Sequence, residues 1–189
     1  HAPSLALHPC LLNTHPLLFQ ILSPTLPALQ RMELFPWLVT LYEVWKNLNE
    51  EVGAWSSLTG RGELLKTGCT TCFDHHYVFP EGAGDLIAAQ FRAAAQVGIR
   101  FHASRGSMDL SKKDGGLPPD SVVQSIDAIL ADSERLVQVW HDDSRFSMRQ
   151  VALAPCSPFS VTGDRMRESA RLARSLGVRL HTHVAEPAD

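Results

Sequence analysis

Arg174-Ser175-Leu176-Gly177-Val178-Arg179-Leu180-His181 repeats the design of an upstream stretch, Ala93-Ala94-Ala95-Gln96-Val97-Gly98-Ile99-Arg100-Phe101-His102. In both, a glycine stands just past an Ala- or Leu-bearing helical turn, where a left-handed residue is wanted, and a β-branched residue then opens an extended run. Each is a helix end followed by a strand. The feeding helices are legible too. Asp85 is placed to cap residues 86–97, while Thr162 or Asp164 starts a helix whose Met166, Ala170, Ala173 and Leu176 fall on one apolar stripe.

Working outward, residues 70–74 and 150–155 read as further strands, 11–14 as an earlier one, and 34–48, rich in Leu and Trp, as an amphipathic helix. Strand starts then lie roughly 30 to 50 residues apart, which suits crossover units and a parallel sheet. Strands 70–74, 99–104, 150–155 and 178–183 are expected to lie parallel and adjacent, with helices 85–97 and 164–176 outside. Between Gly106 and Pro119, Lys112, Lys113, Gly115 and Gly116 predict a long mobile loop of the kind that covers active sites. No internal boundary or low-complexity tract interrupts the pattern. Parallel α/β folds place ligands at the carboxyl ends of the strands, so the residues just past each strand carry the functional information.

The 189 residues are 44% apolar and 20% charged with a formal net charge of -3, a composition that buries a core. Charges of both signs are interspersed and make no basic stripe, which argues against nucleic acid and for a small neutral ligand. No apolar run is long enough for a membrane span and the opening residues lack a basic start, so a cytoplasmic protein without a membrane partner is expected. Four cysteines, Cys10, Cys69, Cys72 and Cys156, are too few and scattered for a disulfide framework. Cys69 and Cys72 have a metal-site spacing, but three residues apart on a strand they face opposite sides and cannot share an ion.

His181-Thr182-His183 puts two imidazoles on one face of a strand end, and Glu186 follows three residues after His183. One ring can bind a metal while the carboxylate, a loop turn later, takes a proton from the attacking water and returns it to a departing amine. The alternative is a pair of strand-end histidines satisfied by backbone. Arg105 can grip a heterocycle carbonyl and Cys156 can line a pocket. His75 and His76 lie where alternation sends at most one toward that pocket, and a structural role is expected for both. Trp37, Tyr42 and Trp45 sit at helical spacing and read mainly as core, with Trp37 also suited to a pocket wall.

Several blocks together resemble a family: Asn13-Thr14-His15, Glu33-Leu34-Phe35-Pro36-Trp37-Leu38, Gly68-Cys69-Thr70-Thr71, Asp74-His75-His76-Tyr77-Val78-Phe79-Pro80, Arg105-Gly106-Ser107-Met108, Ala154-Pro155-Cys156-Ser157-Pro158-Phe159-Ser160, and the closing His-Thr-His-Val-Ala-Glu. The chain is similar to the amidohydrolase superfamily, in its subgroup of aminohydrolases acting on cyclic amidines. That resemblance implies an α/β fold of the (β/α)8 TIM-barrel type, of which residues 1–189 hold about five strands with the later ones absent. It also implies one Zn2+ per site and a purine-like or triazine substrate. His15 and His183 become metal ligands, Glu186 the proton shuttle, and Gln20, Arg105, Cys156 and Trp37 substrate-binding. In the family, strand one ends in His-x-His followed after two further residues by Gln. Here His15 and Gln20 match and Leu17 does not, and leucine has no lone pair to offer a metal. Two rival readings stay open, a metal-free inactive fragment and a non-catalytic binding relative of the same fold. Taken as it stands the chain is expected to be a poor catalyst even though its ancestry is enzymatic, since Leu17 and the absent later strands withhold ligands, and its unpaired edge strands allow pairing with another copy as a homo-oligomer.

Overall fold

A computed structural model describes residues 10–23 and 25–184. Among the described residues, β1 (Leu11–Asn13), β2 (Cys69–Asp74), β3 (Arg100–Ser107) and β4 (Arg149–Pro155) form one sheet in sequence order, with every neighbouring pair parallel. Parallel neighbours need crossovers, which helices α1 (Leu34–Trp45) and α2 (Glu50–Lys66), α3 (Leu86–Val97) and α4 (Ile126–Trp140) supply, and α5 (Gly163–Ser175) follows β4. No helix among the described residues is long and apolar enough to cross a membrane.

The caps explain why the helices begin and end where they do. Asp85 accepts from Ala88 N at 2.9 Å and Gly98 closes α3 at φ 74°, while Thr162 accepts from Arg165 N at 3.2 Å and Gly177 follows α5 at φ 68°. α1 stops at Trp45 rather than running to residue 48. α2 and α4 have no counterpart among the elements expected from sequence. α2 carries three glycines and buries small or polar residues, Gly53, Ser56, Ser57, Gly60 and Arg61, so it shows no apolar stripe. It packs closely on the turn after β1: a Cβ at Gly60 would lie 2.5 Å from Leu18 Cδ2, so that side chain would have to shift.

Two expectations are corrected. Residues 178–183 do not form a regular strand; one parallel bridge, Leu153 to Leu180, joins them to β4. The segment nonetheless runs alongside β4 with ladder-like bonds, Leu153 N to Arg179 O at 3.0 Å, His181 N to Leu153 O at 2.9 Å and His183 N to Cys156 O at 3.1 Å. The second correction concerns 106–119. β3 extends through Ser107, and the stretch beyond it is tied down: Asp109 accepts from Thr162 N at 2.9 Å and from its hydroxyl at 2.6 Å, and Lys112 N donates to Pro118 O at 2.8 Å.

Two apolar clusters hold the sheet. Cys72, Phe101, Ala103 and Val151 pack against Ile87, Phe91 and Leu136 of the outer helices. The other, around Phe19, Tyr42, Trp45, Tyr77 and Cys156, fills the space between α1 and the strand ends.

Candidate metal centre

β1 and β2 deliver their ends to one place because Asp74, fully buried, accepts from Leu18 N at 3.0 Å and from Gln90 Nε2 at 2.7 Å. The next residue reinforces the junction, His75 N donating to Pro16 O at 2.9 Å. Burial raises the Asp74 carboxyl to about 6 against the opposing pull of Arg61. Both links pull the turn after β1 over the end of β2. His15 therefore stands beside His75, their ring centroids 5.1 Å apart.

From the other side, the segment beside β4 brings His181 and His183. His15 Nδ1 lies 2.8 Å from His181 Nε2, and His15 Nε2 lies 3.2 Å from His183 Nε2. His183 Nδ1 is 2.8 Å from Cys156 O, a carbonyl that can only accept, so the proton belongs on Nδ1 and the Nε2 lone pair faces inward. His15 Nε2 then donates to His183, and its Nδ1 accepts from His181. Burial lowers the pKa of His15, with His183 and His181 adding to the effect, and burial also lowers that of His181. His75 is pushed down to about 2, first by burial and then by the surrounding histidines. A neutral imidazole is the form that ligates metal.

Two groupings place their ligand atoms within 4.8 Å of one another: His15, His75 and His181, and His75, Cys156 and His183. A tetrahedral zinc with nitrogen and sulfur ligands separates them by about 3.3 to 3.8 Å, so the donor set and its spacing suit such an ion. Next to it lies a cavity of about 230 Å³ lined by Leu17, Gln20, Trp37, Tyr77, Cys156 and His183. A larger cavity, about 610 Å³, opens between α3 and residues 142–149 among Phe91, Trp140 and Phe146. It holds no member of the histidine cluster, whereas His183 lines the smaller cavity and His15 and His181 line a third, of about 460 Å³, on the other side.

Of the residues singled out from sequence, His15, His183, Gln20, Trp37 and Cys156 meet here. Glu186 lies outside the described residues. Arg105 does not join them. Only 1% exposed, it pairs with Asp132 at 2.5 Å, donates to Gln124 at 2.8 Å, and lies 3.9 Å over the Phe79 ring. β3 runs on past residue 104, which leaves Arg105 inside the ladder with its side chain toward α4, neither exposed on a solvated loop nor within the histidine cluster. His76 is structural as expected, its Nε2 donating to Val78 O at 2.9 Å and its Nδ1 accepting from Gln90 at 3.2 Å. His75 is the residue that sequence reasoning missed. Its ring joins the cluster, and the strand alternation that admits only one of the two adjacent histidines was the available signal.

Among known proteins, the amidohydrolase family model matches residues 7–189. The chain is 48% identical over 181 residues to the 8-oxoguanine deaminase of Pseudomonas aeruginosa, covering 96% of this chain and 40% of that protein. It is 42% identical over 185 residues to the hydroxydechloroatrazine ethylaminohydrolase of Pseudomonas sp. strain ADP, covering 96% of this chain and 38% of that one. Among solved structures, an atrazine chlorohydrolase from Arthrobacter aurescens TC1 complexed with zinc superposes with a TM-score of 0.86 at 32% identity, over 95% of this chain and 41% of that chain. The chain thus spans about two fifths of the relatives it matches.

Proposed function

Because the chain belongs to the amidohydrolase family, we propose that it serves a zinc-dependent hydrolytic deaminase of an aminated purine-like heterocycle, resembling 8-oxoguanine deaminase. The four parallel strands and their outer helices are part of a (β/α)8 barrel of that family's type. One observation carries the proposal: histidines from separate strand ends meet beside a cavity walled by Gln20 and Trp37.

In this reading His15 and His183 are among the residues that hold the ion. When bound, zinc supplies Lewis-acid activation of the attacking water. Gln20 offers both a donor and an acceptor at the cavity wall and orients the ring by its carbonyl and ring nitrogens. Trp37, with Tyr77 and Phe159, gives the flat apolar wall that stacks on a heterocycle and excludes water. Water adds to the amidine carbon, the bond to the exocyclic nitrogen breaks, and ammonia leaves. Glu186 carries the proton from the incoming water to that departing nitrogen. The four cysteines form no disulfide, which suits the cytoplasmic setting expected from sequence.

The test is ammonia release from 8-oxoguanine, guanine and a hydroxy-triazine by zinc-loaded protein, both as this chain and extended through eight strands, with Glu186→Gln alongside. We expect turnover of at least one of these and a loss of kcat of about 100-fold or more in the variant. No turnover of any of them by a zinc-loaded sample refutes the deaminase reading. Leu17 favours a second reading, a metal-free relative that binds without reacting, since it turns an apolar side chain toward the cavity it shares with His183. Stoichiometric zinc in purified protein eliminates that alternative.

A further inference from the structure

Arg61 lies within α2 and is fully buried, yet none of its three nitrogens has a hydrogen-bond partner. Its guanidinium rests 3.9 Å over the Phe101 ring. Burial pulls its pKa down, and the charge of Asp74 pulls it back up. A cation without hydrogen bonds in an apolar layer is costly, and an apolar side chain of the same length would fill the place at less cost. The charge itself is therefore in use.

Two neighbours could meet that charge. The Cys72 thiol is one, but burial pushes its pKa up to about 11, so it stays neutral. Asp74 is the other. In the ladder between β2 and β3, Cys72 pairs with Phe101 and Asp74 with Ala103. Residues two apart share a face, so the Asp74 carboxylate stands one step, about 7 Å, along the strand from the ring beneath Arg61. The bond it accepts from Gln90 of α3 shows that it points to the helices. The same carboxylate accepts from Leu18 N at 3.0 Å, in the short helix Leu18–Gln20 that ends on the glutamine of the cavity wall. α2 meets this turn a second time, since Gly60, next to Arg61, leaves room for the Leu18 side chain.

We propose that Arg61 is a positioning residue: its buried charge holds the Asp74 carboxylate as a charged acceptor, and through Leu18 N that carboxylate sets Gln20 against the substrate cavity. What Gln20 does there rests on the deaminase reading, whereas how the turn is held does not. Charge-assisted bonds are about twice as strong as neutral ones, so loss of the cation weakens the tie to the turn without altering any group that lines the cavity. The role also explains why α2 buries an arginine where an apolar stripe would pack better.

The test is amide hydrogen exchange at Leu18, followed by NMR in this chain, with Arg61→Met, which loses the charge, and Arg61→Lys, which keeps it. We expect the Leu18 amide to be protected in the unmutated protein and to exchange at least about 10-fold faster in Arg61→Met. The Arg165 amide, held by Thr162 at the start of α5, should be unchanged. Arg61→Lys should restore most of the protection, which packing alone would not predict, because Met fills the site as well as Lys. In zinc-loaded protein extended through eight strands, Arg61→Met should raise KM for 8-oxoguanine about 10-fold and change kcat less than about 3-fold. Should Arg61→Met fail to fold, combining it with Asp74→Asn removes both charges together, and that pair too should lose protection at Leu18. The assignment is overturned by an unprotected Leu18 amide in the unmutated protein, by unchanged exchange in folded Arg61→Met or in the charge-free pair, by equal effects of Met and Lys, or by an unchanged KM in active Arg61→Met. Each of these leaves the deaminase reading intact. Faster exchange in Arg61→Met with no turnover by any extended protein upholds the hold on the turn and overturns the deaminase reading.

Discussion

Behind the sheet, Phe91, Phe101, Leu136 and Val151 are buried together as an apolar layer between strands and helices. A few residues along the same strands, His15, His75, His181 and His183 crowd together with ring centroids 4.4 to 5.1 Å apart. The first region gains stability from every group it removes from water. The second removes polar rings from water and, for His75, returns no hydrogen bond. The helix-facing layer maintains the fold, and the strand ends give up part of that stability to aim ring nitrogens at one another.

The sharpest way to break this contrast is to mutate each region. Phe101→Ala empties a site that touches Phe91 and supports the Arg61 guanidinium 3.9 Å above its ring. It should cost about 3 to 5 kcal/mol in denaturant unfolding. A cost under about 1 kcal/mol would mean the layer does not carry the fold. At the strand ends the sign should reverse. His75→Leu removes an orphaned polar ring of similar bulk and should raise the stability of the metal-free protein by about 1 to 3 kcal/mol. If the variant is less stable without metal, the ring is not a burden and the contrast collapses.

Acid sharpens the comparison further. The His76 pKa falls to about 3 in the fold, mainly by burial, so as pH drops below 6.5 the unfolded chain takes up a proton that the folded one refuses. Stability from this group is therefore whole above 6.5 and lost on the way down to about 3, at about 1.4 kcal/mol per pH unit. His75 acts in the same direction. Asp74 opposes them: with its folded pKa near about 6, the folded protein holds a proton that the unfolded chain lacks between there and 3.8, so acid restores stability in that window. Two protons against one leave a net loss, and Tm measured from pH 7 to pH 4 should decline. His76→Phe should flatten that slope; an unaltered slope in the folded variant would remove His76 from the account. The smallest effect belongs to the apolar side. Ser125→Ala deletes the cap that accepts from Ala128 N at 3.3 Å and should cost about 1 kcal/mol with zinc affinity unchanged. A shift in zinc affinity would show the two regions are coupled through α4.

α3, α5 and the sheet's parallel order were legible because their signals are local. Asp85, Gly98, Thr162 and Gly177 set helix ends by satisfying backbone groups within a few residues, and the strand that follows each glycine inherits its direction from the turn. α2 was hidden for an equally physical reason: it packs through glycines, serines and a buried arginine, which leave no hydrophobic period to read. Residues 178–183 carried the pattern of a strand but have a single bridge on one side, and pattern alone does not make a ladder.

Local sequence is enough to place His15, His181 and His183 at the ends of extended segments, because the alternation and the glycine-led turns are properties of neighbouring residues. It could not decide which side chains would meet. Arg105 turned to Asp132 because β3 ran three residues further than its composition indicated. His75 rather than His76 entered the cluster because a backbone bond to Pro16 and the Asp74 bond to Leu18 fix how the first two strand ends cross. Those contacts join residues more than fifty positions apart. Only the folded chain brings them within reach, so the histidine cluster was decided by tertiary structure, while the strand ends that present it follow from local forces.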